Sequence, residues 1–292
     1  MTTRRPTNPR ARRRTALLAA LALVPIPFAA ACQGSTTTTA TDSGTPIQVV
    51  AAEGVWGEIA GQIGGTQVHV TTILGAADTD PGGYRPSAAD TAAITSAQVF
   101  ILTGAGFDPW ASEAAGSDPG IGRLDVNVGD EVGVAPGGDP YLWYNPDYVR
   151  EAAQQIEADY ISLRPGQTAY FQDQAETFEQ GTMSADEALI SSISARHGGA
   201  EVGACTALGS ALAAQLGLKP VDPVTATEVA GHQVKLLFCE AQEPSPATRA
   251  LLGAASTAGI PVVMLTENPE PAGTTYPQWL NGQLQAVEQA LS

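Results

Sequence analysis

Hydrophobic and polar positions in the first part of the chain alternate between the period of a strand and the period of a helix. Short runs rich in β-branched residues predict strands at residues 47–52, 68–74 and 99–102. Between these runs, apolar residues recur at helical spacing over residues 55–63 and 87–97. Strands and helices that alternate with short connections predict a parallel sheet covered by helices.

The middle of the chain, from residue 146 to about 193, has apolar and aromatic residues at helical spacing and no strand pattern. The break at residues 164–166 predicts two helices, of which the second is long enough to run from one lobe to another. Strand and helix patterns resume after His197. The predicted fold class is therefore α/β, with two lobes that each contain a parallel-rich sheet flanked by helices, one long bridging helix, and a ligand cleft between the lobes.

These patterns predict an N-terminal α/β lobe at residues 47–165, a bridging helix at 166–196 and a C-terminal α/β lobe at 197–292. Residues 124–134 are predicted as a pair of short, polar-faced strands. Loops bounded by prolines interrupt the first lobe at residues 79–86 and 139–146, and each leads into a helix. Ser87 is a candidate N-cap of the helix after the first loop. A strand, an ordered loop and a helix N-terminus form the arrangement in which α/β proteins bind ligands.

The first 31 residues predict an export signal rather than part of the fold. Six arginines precede an apolar run that ends in small residues before Cys32. The segment 29–32, Ala-Ala-Ala-Cys, resembles the lipobox of bacterial lipoproteins, which implies acylation of Cys32 and anchoring to the outer face of the cell membrane. An ordinary secretory signal cut nearby is the alternative, and the route of export, general or twin-arginine, stays open. Residues 32–46, rich in Thr, Ser and Gly, predict a flexible tether.

The charge balance restricts the possible partners. Loss of the six leader arginines changes the formal net charge from −16 to −22. A chain with this charge repels nucleic acid and anionic membrane surfaces. We therefore expect no nucleic-acid partner, and membrane contact only through the lipid on Cys32.

Five blocks of sequence, taken in order, resemble the zinc and manganese solute-binding lipoproteins of ABC importers. The blocks are residues 49–60 (VVAAEGVWGEIA), 79–90 (TDPGGYRPSAAD), 103–110 (TGAGFDPW), 139–146 (DPYLWYNP) and 261–269 (PVVMLTENP). The resemblance implies two α/β lobes joined by one rigid helix, with a transported zinc or manganese ion held between them by about four side chains. It also implies an ABC permease as partner, a monomeric binding protein and no enzymatic activity.

The resemblance assigns four ligand positions, and this sequence departs from the family at three of them. Histidine is replaced by Gly82 in the first loop and by Tyr141 in the second. The third position, a His or Glu in the family, is Cys205 or Thr206. The fourth is retained as Glu267. The metal ligands expected here are therefore Glu267 and Cys205.

Residues of the two loops and of the third position are expected to line the cleft. These are Asp80, Tyr84, Tyr141, Trp143 and Thr206.

Two interpretations remain open for Cys205 and Cys239, which each close a predicted strand of the second lobe. An oxidising exterior favours a disulfide between neighbouring strand ends. The alternative is a remodelled metal site in which both thiolates bind together with Glu267, with or without Asp80.

The sequence supports one main function and one alternative with the same fold. The main hypothesis is an extracytoplasmic zinc- or manganese-binding lipoprotein of an ABC importer. The alternative is a paralogue that has lost the metal site and binds another solute or acts as an accessory protein. A third hypothesis, an enzyme that uses Cys205 as nucleophile, is disfavoured because no motif places a histidine to activate the thiol.

Overall fold

The computed structural model describes residues 44–75, 80–117, 122–241, 244–271 and 273–292. The expected signal peptide, the expected lipidation site Cys32, most of the tether and Thr79 of the first loop lie outside the described residues. In the part of the chain that is described, no helix is long and apolar enough to cross a membrane.

The first lobe is built on a parallel sheet whose strands are named in chain order. They are β1 (Ile47–Glu53), β2 (Val68–Leu74), β3 (Val99–Leu102) and β4 (Leu124–Asn127). Their order in the sheet is β2-β1-β3-β4. The central strand β3 is buried at every position, as expected when helices cover both faces of a parallel sheet.

Four helices follow these strands. They are α1 (Gly54–Gly64), α2 (Ala88–Ser96), α3 (Pro109–Ser117) and α4 (Val128–Glu131). Ser87 caps α2 as predicted: its hydroxyl accepts from the backbone N–H of Asp90, and the Asp90 carboxylate accepts from the N–H of Ser87.

A helical region separates the two sheets. It comprises α5 (Pro146–Leu163), α6 (Thr168–Phe178) and α7 (Ser184–His197). A π-helical turn, Glu179–Met183, joins α6 to α7, so one uninterrupted helical segment runs from Thr168 to His197. This segment coincides with the predicted bridging helix.

The second lobe repeats the architecture of the first. Its strands are β5 (Glu201–Ala204), β6 (Lys219–Val221), β7 (Leu237–Glu240) and β8 (Val262–Leu265), in the order β6-β5-β7-β8, all parallel. Its helices are α8 (Ala207–Gln215), α9 (Ala226–Ala230), α10 (Pro246–Ala258) and α11 (Tyr276–Leu291). Two parallel sheets of the same strand order, flanked by helices, confirm the predicted fold class.

The main core runs through both lobes, because one cluster of buried side chains includes Trp56 of α1, Tyr160 of α5 and Phe238 of β7. Smaller clusters cover the outer face of each sheet. At about 25 cal/mol per Å² of apolar surface buried, continuous packing of this kind holds the two lobes together.

Two sequence expectations about secondary structure were wrong. Residues 124–134 do not form a pair of strands: β4 ends at Asn127, whose side chain accepts from the backbone N–H of Asp130 and caps the helical turn α4. The short strand β6 and the helix α9 were not predicted. Pro220 masked the strand signal, since proline is tolerated only on an edge strand such as β6.

Candidate functional site between the lobes

Glu267, the retained family ligand, lies just beyond the carboxyl end of β8 and is half-buried. Burial, followed by the negative charges of Glu240 and Asp80, raises the pKa of its carboxyl to about 7. Glu240 is the last residue of β7, and Asp80 comes from the first-lobe loop. Charges from both lobes thus act on Glu267, which creates a region of negative potential that attracts a cation.

Hydrogen bonds fix the loop that carries Glu267. The hydroxyl of Thr266 accepts from the indole N–H of Trp279 at 2.7 Å and donates to the carbonyl of Asn268 at 3.0 Å. The Asn268 side-chain oxygen accepts from the backbone N–H of Gly54, at the start of α1, at 2.8 Å. Because Gly54 belongs to the first lobe, this buried contact ties the Glu267 loop directly to the opposite lobe.

Tyr141 lies at the edge of a cluster of aromatic rings. Its ring packs edge-on against Phe107 at 5.9 Å and against Trp143 at 5.7 Å between centroids. Burial, followed by the negative charges of Glu267 and Glu240, raises the pKa of the Tyr141 hydroxyl well above its usual value. Tyr141 is therefore a neutral phenol in this environment and is a much weaker ligand than the histidine it replaces.

Trp143 was expected to line the cleft, and the structure places it deeper. The side chain is 1% exposed, and its ring packs between those of Phe107 and Tyr144. No described residue accepts a hydrogen bond from its indole N–H. Trp143 therefore forms the floor behind Tyr141 rather than an accessible cleft wall.

The first-lobe loop presents an acid but no imidazole. The Asp80 carboxylate accepts from the backbone N–H of Gly82 at 2.9 Å, closing a tight turn. Gly82 is exposed and contributes no side chain at the position where the family has histidine.

Tyr84, also expected in the cleft, occupies a different place. Its ring packs edge-on against Trp110 at 5.1 Å, and its hydroxyl donates to Asp90 at 2.8 Å. It lines a cavity of about 330 Å³ between α2 and α3, on the outer side of the first sheet. The Asp90 capping interaction draws Tyr84 there, because the carboxylate that caps α2 also accepts the phenol.

Cys205 and Cys239 form a disulfide in this structure, with 4.9 Å between their Cα atoms. The pairing follows from the register of β5 and β7, which sets Gly203 beside Leu237 and Ala204 beside Phe238. A sulfur in a disulfide cannot bind a metal as a thiolate, so in this form Cys205 is not a ligand. Thr206, the neighbouring candidate, has a buried hydroxyl without a hydrogen-bond partner among the described residues.

Across the described ranges, no three His, Cys, Asp or Glu side chains are grouped so that they could hold a metal ion. The three histidines do not supply the missing ligands: His69 is on β2, His197 ends α7, and His232 follows α9. Sequence reasoning missed Glu240 and Asn268. The position of Glu240 was the available signal: it ends β7, which pairs with β8, and Glu267 comes shortly after β8.

A cavity of about 490 Å³ adjoins Tyr141. It lies between the 133–148 segment and α8, and Asp139, Tyr148 and Gln215 are among its lining residues. The cavity is large enough for a small organic molecule.

Comparison with known proteins identifies the family. The family described as zinc-uptake complex component A, periplasmic, matches residues 49–290. The manganese-binding lipoprotein MntA of Halalkalibacterium halodurans is 23% identical over 163 residues, which cover 55% of this chain and 54% of that protein. The match thus spans about half the length of this curated relative.

Solved structures share the fold. The periplasmic zinc-binding protein TroA from Treponema pallidum has a TM-score of 0.69 and 20% identity, over 85% of this chain and 100% of that one. The metal-dependent lipoprotein YcdH from Bacillus subtilis has a TM-score of 0.70 and 20% identity, over 84% of this chain and 100% of that one. At this identity the likeness concerns the fold alone, whereas the family match extends over most of the sequence. The chain belongs to the family of periplasmic A components of zinc-uptake complexes.

Proposed function

We propose that this protein is an extracytoplasmic solute-binding protein that captures zinc or manganese for an ABC importer. The observation that carries the proposal is Glu267, which is half-buried at the fourth family ligand position and is surrounded by the charges of Glu240 and Asp80. Negative charges held near one another repel, and a cation that binds among them offsets this repulsion.

The chemistry of the available donors favours a hard cation. The carboxylate oxygens of Glu267 suit manganese, whereas zinc also accepts them but is bound best when imidazole or thiolate joins the set. Among the described residues, Glu240 and Asp80 act on Glu267 through their charges and are not grouped with it as a metal site. Reduction of the disulfide would add Cys205 as a soft ligand and shift the preference toward zinc. The relative affinity for the two metals is therefore expected to depend on the redox state.

The proposed partners follow from the family and from the leader. The protein is anchored to the outer face of the cell membrane through a lipid on Cys32, acts as a monomer and delivers its cargo to a membrane permease. Catalysis is not part of this proposal, because Cys205, the candidate nucleophile, is bonded to Cys239.

One observation favours a second candidate, a protein of the same fold that binds another solute. Histidine is absent from both first-lobe ligand positions, Gly82 and Tyr141, and a cavity of about 490 Å³ adjoins Tyr141. A small solute in that cavity would contact tyrosine rings and the Asp139 carboxylate.

The test is metal content and affinity of the chain from Gly44 onward, purified under oxidising and under reducing conditions. We expect about one manganese or zinc ion per chain and a loss of about tenfold or more in affinity for Glu267→Gln. Glu113→Gln, an exposed acid on α3, is the matched control and should leave affinity unchanged. Absence of binding of either metal in both redox states would reject the main proposal in favour of the second candidate.

A further inference from the structure

Two acidic side chains fill the point of the first sheet where the strand order reverses, between the carboxyl ends of β1 and β3. Glu53 is the last residue of β1 and is 1% exposed. Asp108 comes from the segment after β3 and is fully buried. Sheets of this kind commonly bind ligands at this point, so two buried acids here need a physical explanation.

Asp108 has the hydrogen bonds of an ionised carboxylate. One of its oxygens accepts from the backbone N–H of Thr103 at 2.7 Å, and the other accepts from the N–H of Gly104 at 2.9 Å. Two backbone donors directed at a buried carboxylate stabilise its negative charge.

Glu53 has the hydrogen bonds of a protonated acid. Its Oε2 accepts from the hydroxyl of Thr103 at 2.8 Å, and that hydroxyl accepts from the indole N–H of Trp56 at 2.8 Å. None of the described residues donates to the buried Oε1. An ionised oxygen buried without a donor is unfavourable, whereas a protonated Glu53 is neutral and can donate its O–H to Asp108, whose charge acts on Glu53 and raises its pKa.

Among the described residues, none adds a positive charge that acts on Glu53 or Asp108 and would favour two carboxylates. Trp56 on α1, Leu74 on the paired strand β2, and Thr103 are uncharged neighbours of Glu53. The ion pairs of the described chain lie elsewhere. Burial, and then the charge of Asp108, raises the pKa of Glu53 well above its usual value, while burial raises that of Asp108 to about 6.

We propose that Glu53 and Asp108 share one proton, carried by Glu53, and that this pair positions both first-lobe segments that border the inter-lobe cleft. Glu53 directly precedes Gly54, whose N–H donates to Asn268 beside Glu267. Asp108 directly follows Phe107, whose ring packs at 5.9 Å from that of Tyr141. Displacement of either acid therefore moves a segment that contacts the cleft.

The proton makes the stability of the protein depend on pH. The folded state binds this proton more tightly than the unfolded chain, in which the pKa of a glutamate is about 4.3. The stabilisation is complete below that pH and is lost as the pH rises through the folded pKa. Between these limits, the unfolding equilibrium constant rises by about tenfold per pH unit.

The first experiment measures urea unfolding of the mature protein from pH 5 to pH 9. Glu53→Gln replaces the proton by an amide N–H that donates to Asp108 and keeps an oxygen that accepts from Thr103. We expect this variant to fold as stably as the wild type at pH 5 and to show a much smaller decline toward pH 9, the remainder coming from other carboxyls with a raised pKa such as Glu267. A decline that persists unchanged in Glu53→Gln would overturn the proposal.

A second comparison locates the proton. Asp108→Asn places an amide N–H against the backbone donor of Thr103 or Gly104, so we expect it to be far less stable than Glu53→Gln at pH 5. Glu53→Ala, which leaves the Thr103 hydroxyl without an acceptor, should also lose stability, and Gln should rescue it. Equal stability of Glu53→Gln and Asp108→Asn would contradict a proton carried by Glu53.

The infrared spectrum of the wild type is independent of whether the variants fold. A carbonyl band of a protonated carboxylic acid should persist in the wild type at pH 8, above the pKa of about 7 of Glu267, and absence of the band would overturn the proposal. Metal titration gives the positioning readout: Glu53→Ala should bind metal more weakly than the wild type, and Glu53→Gln should restore much of the affinity. Equal affinities of Glu53→Ala and the wild type would overturn the positioning role. If the wild type binds no metal while the proton is observed, the proposed function fails and the carboxyl pair stands.

Discussion

The two lobes have the same strand order, but different interactions join the strand ends at the point of each sheet where that order reverses. In the first lobe, the carboxyl ends of β1 and β3 are joined by the hydrogen bonds among Glu53, Thr103 and Asp108. In the second lobe, the corresponding ends of β5 and β7 are joined by the disulfide Cys205–Cys239. The covalent closure is the disulfide of the second lobe, and the hydrogen-bonded closure is the set of hydrogen bonds, with the proposed shared proton, in the first lobe.

The difference teaches where a ligand can bind. The crevice at a strand-order reversal is the usual ligand site of an open parallel sheet, and in this protein both crevices are occupied by the protein's own side chains. We therefore expect the proposed cargo to bind away from either sheet, in the space between the lobes, where the charges of Glu240 and Asp80 act on Glu267. The stability contributed by the hydrogen-bonded closure is expected to depend on pH, and that contributed by the covalent closure is expected to depend on reductant.

The largest expected effect comes from opening the covalent closure. Replacing both Cys205 and Cys239 by alanine releases a crosslink between residues 34 positions apart, and we expect a loss of about 3–4 kcal/mol in the free energy of unfolding. Urea unfolding measures this loss, and reduction of the wild type should reproduce it. The control is Glu53→Gln, which should remain as sensitive to reductant as the wild type. A urea midpoint that does not change on reduction would contradict the disulfide as a stabilising closure.

The next effect comes from a threonine in each lobe. Thr103→Val keeps the shape of a fully buried side chain but removes the hydroxyl that links Trp56 to Glu53, and we expect a loss of about 2–3 kcal/mol. Thr206→Val removes a buried hydroxyl that has no partner among the described residues, so it should be neutral or slightly stabilising. Equal losses for the two variants would show that the hydrogen bonds of Thr103 contribute nothing.

Sequence patterns predicted the architecture well because it depends on periodicity. The strands β1, β2 and β3 and the capped start of α2 follow from local residue types. The error at residues 124–134 had a local cause as well, since the Asn127 cap ends β4 early. The fold was therefore predictable in outline, with errors confined to short elements.

The site was less predictable because it depends on contacts between distant segments. Glu53 is an unremarkable strand end in the sequence, and only the register of β1 against β3 brings it to Thr103 and Asp108. Glu240 was missed for the same reason. The pairing of Cys205 with Cys239 could be named as an option but not distinguished from a metal site, since both require the same neighbouring strand ends.

The smallest expected effect concerns the contact between the lobes. A Cβ at Gly54 would lie 2.8 Å from the Asn268 side-chain oxygen, so Gly54→Ala should cost about 1–2 kcal/mol in unfolding free energy. Gly61→Ala is the matched control in the same helix: its Cβ would meet its nearest neighbour at 3.9 Å, and it should gain up to about 1 kcal/mol.

A double-mutant cycle separates the contact between the lobes from a local effect on α1. Asn268→Ala removes the atom that the new methyl group would strike, so the loss in Gly54→Ala combined with Asn268→Ala should be smaller than the sum of the two single losses. Additive losses would mean that Gly54 acts only within its own helix. Coupling between the two losses, together with weaker metal binding in Gly54→Ala, would show that the position of Glu267 depends on the backbone amide of Gly54 in the first lobe. The proposed ligand site would then require the two lobes to keep their relative position.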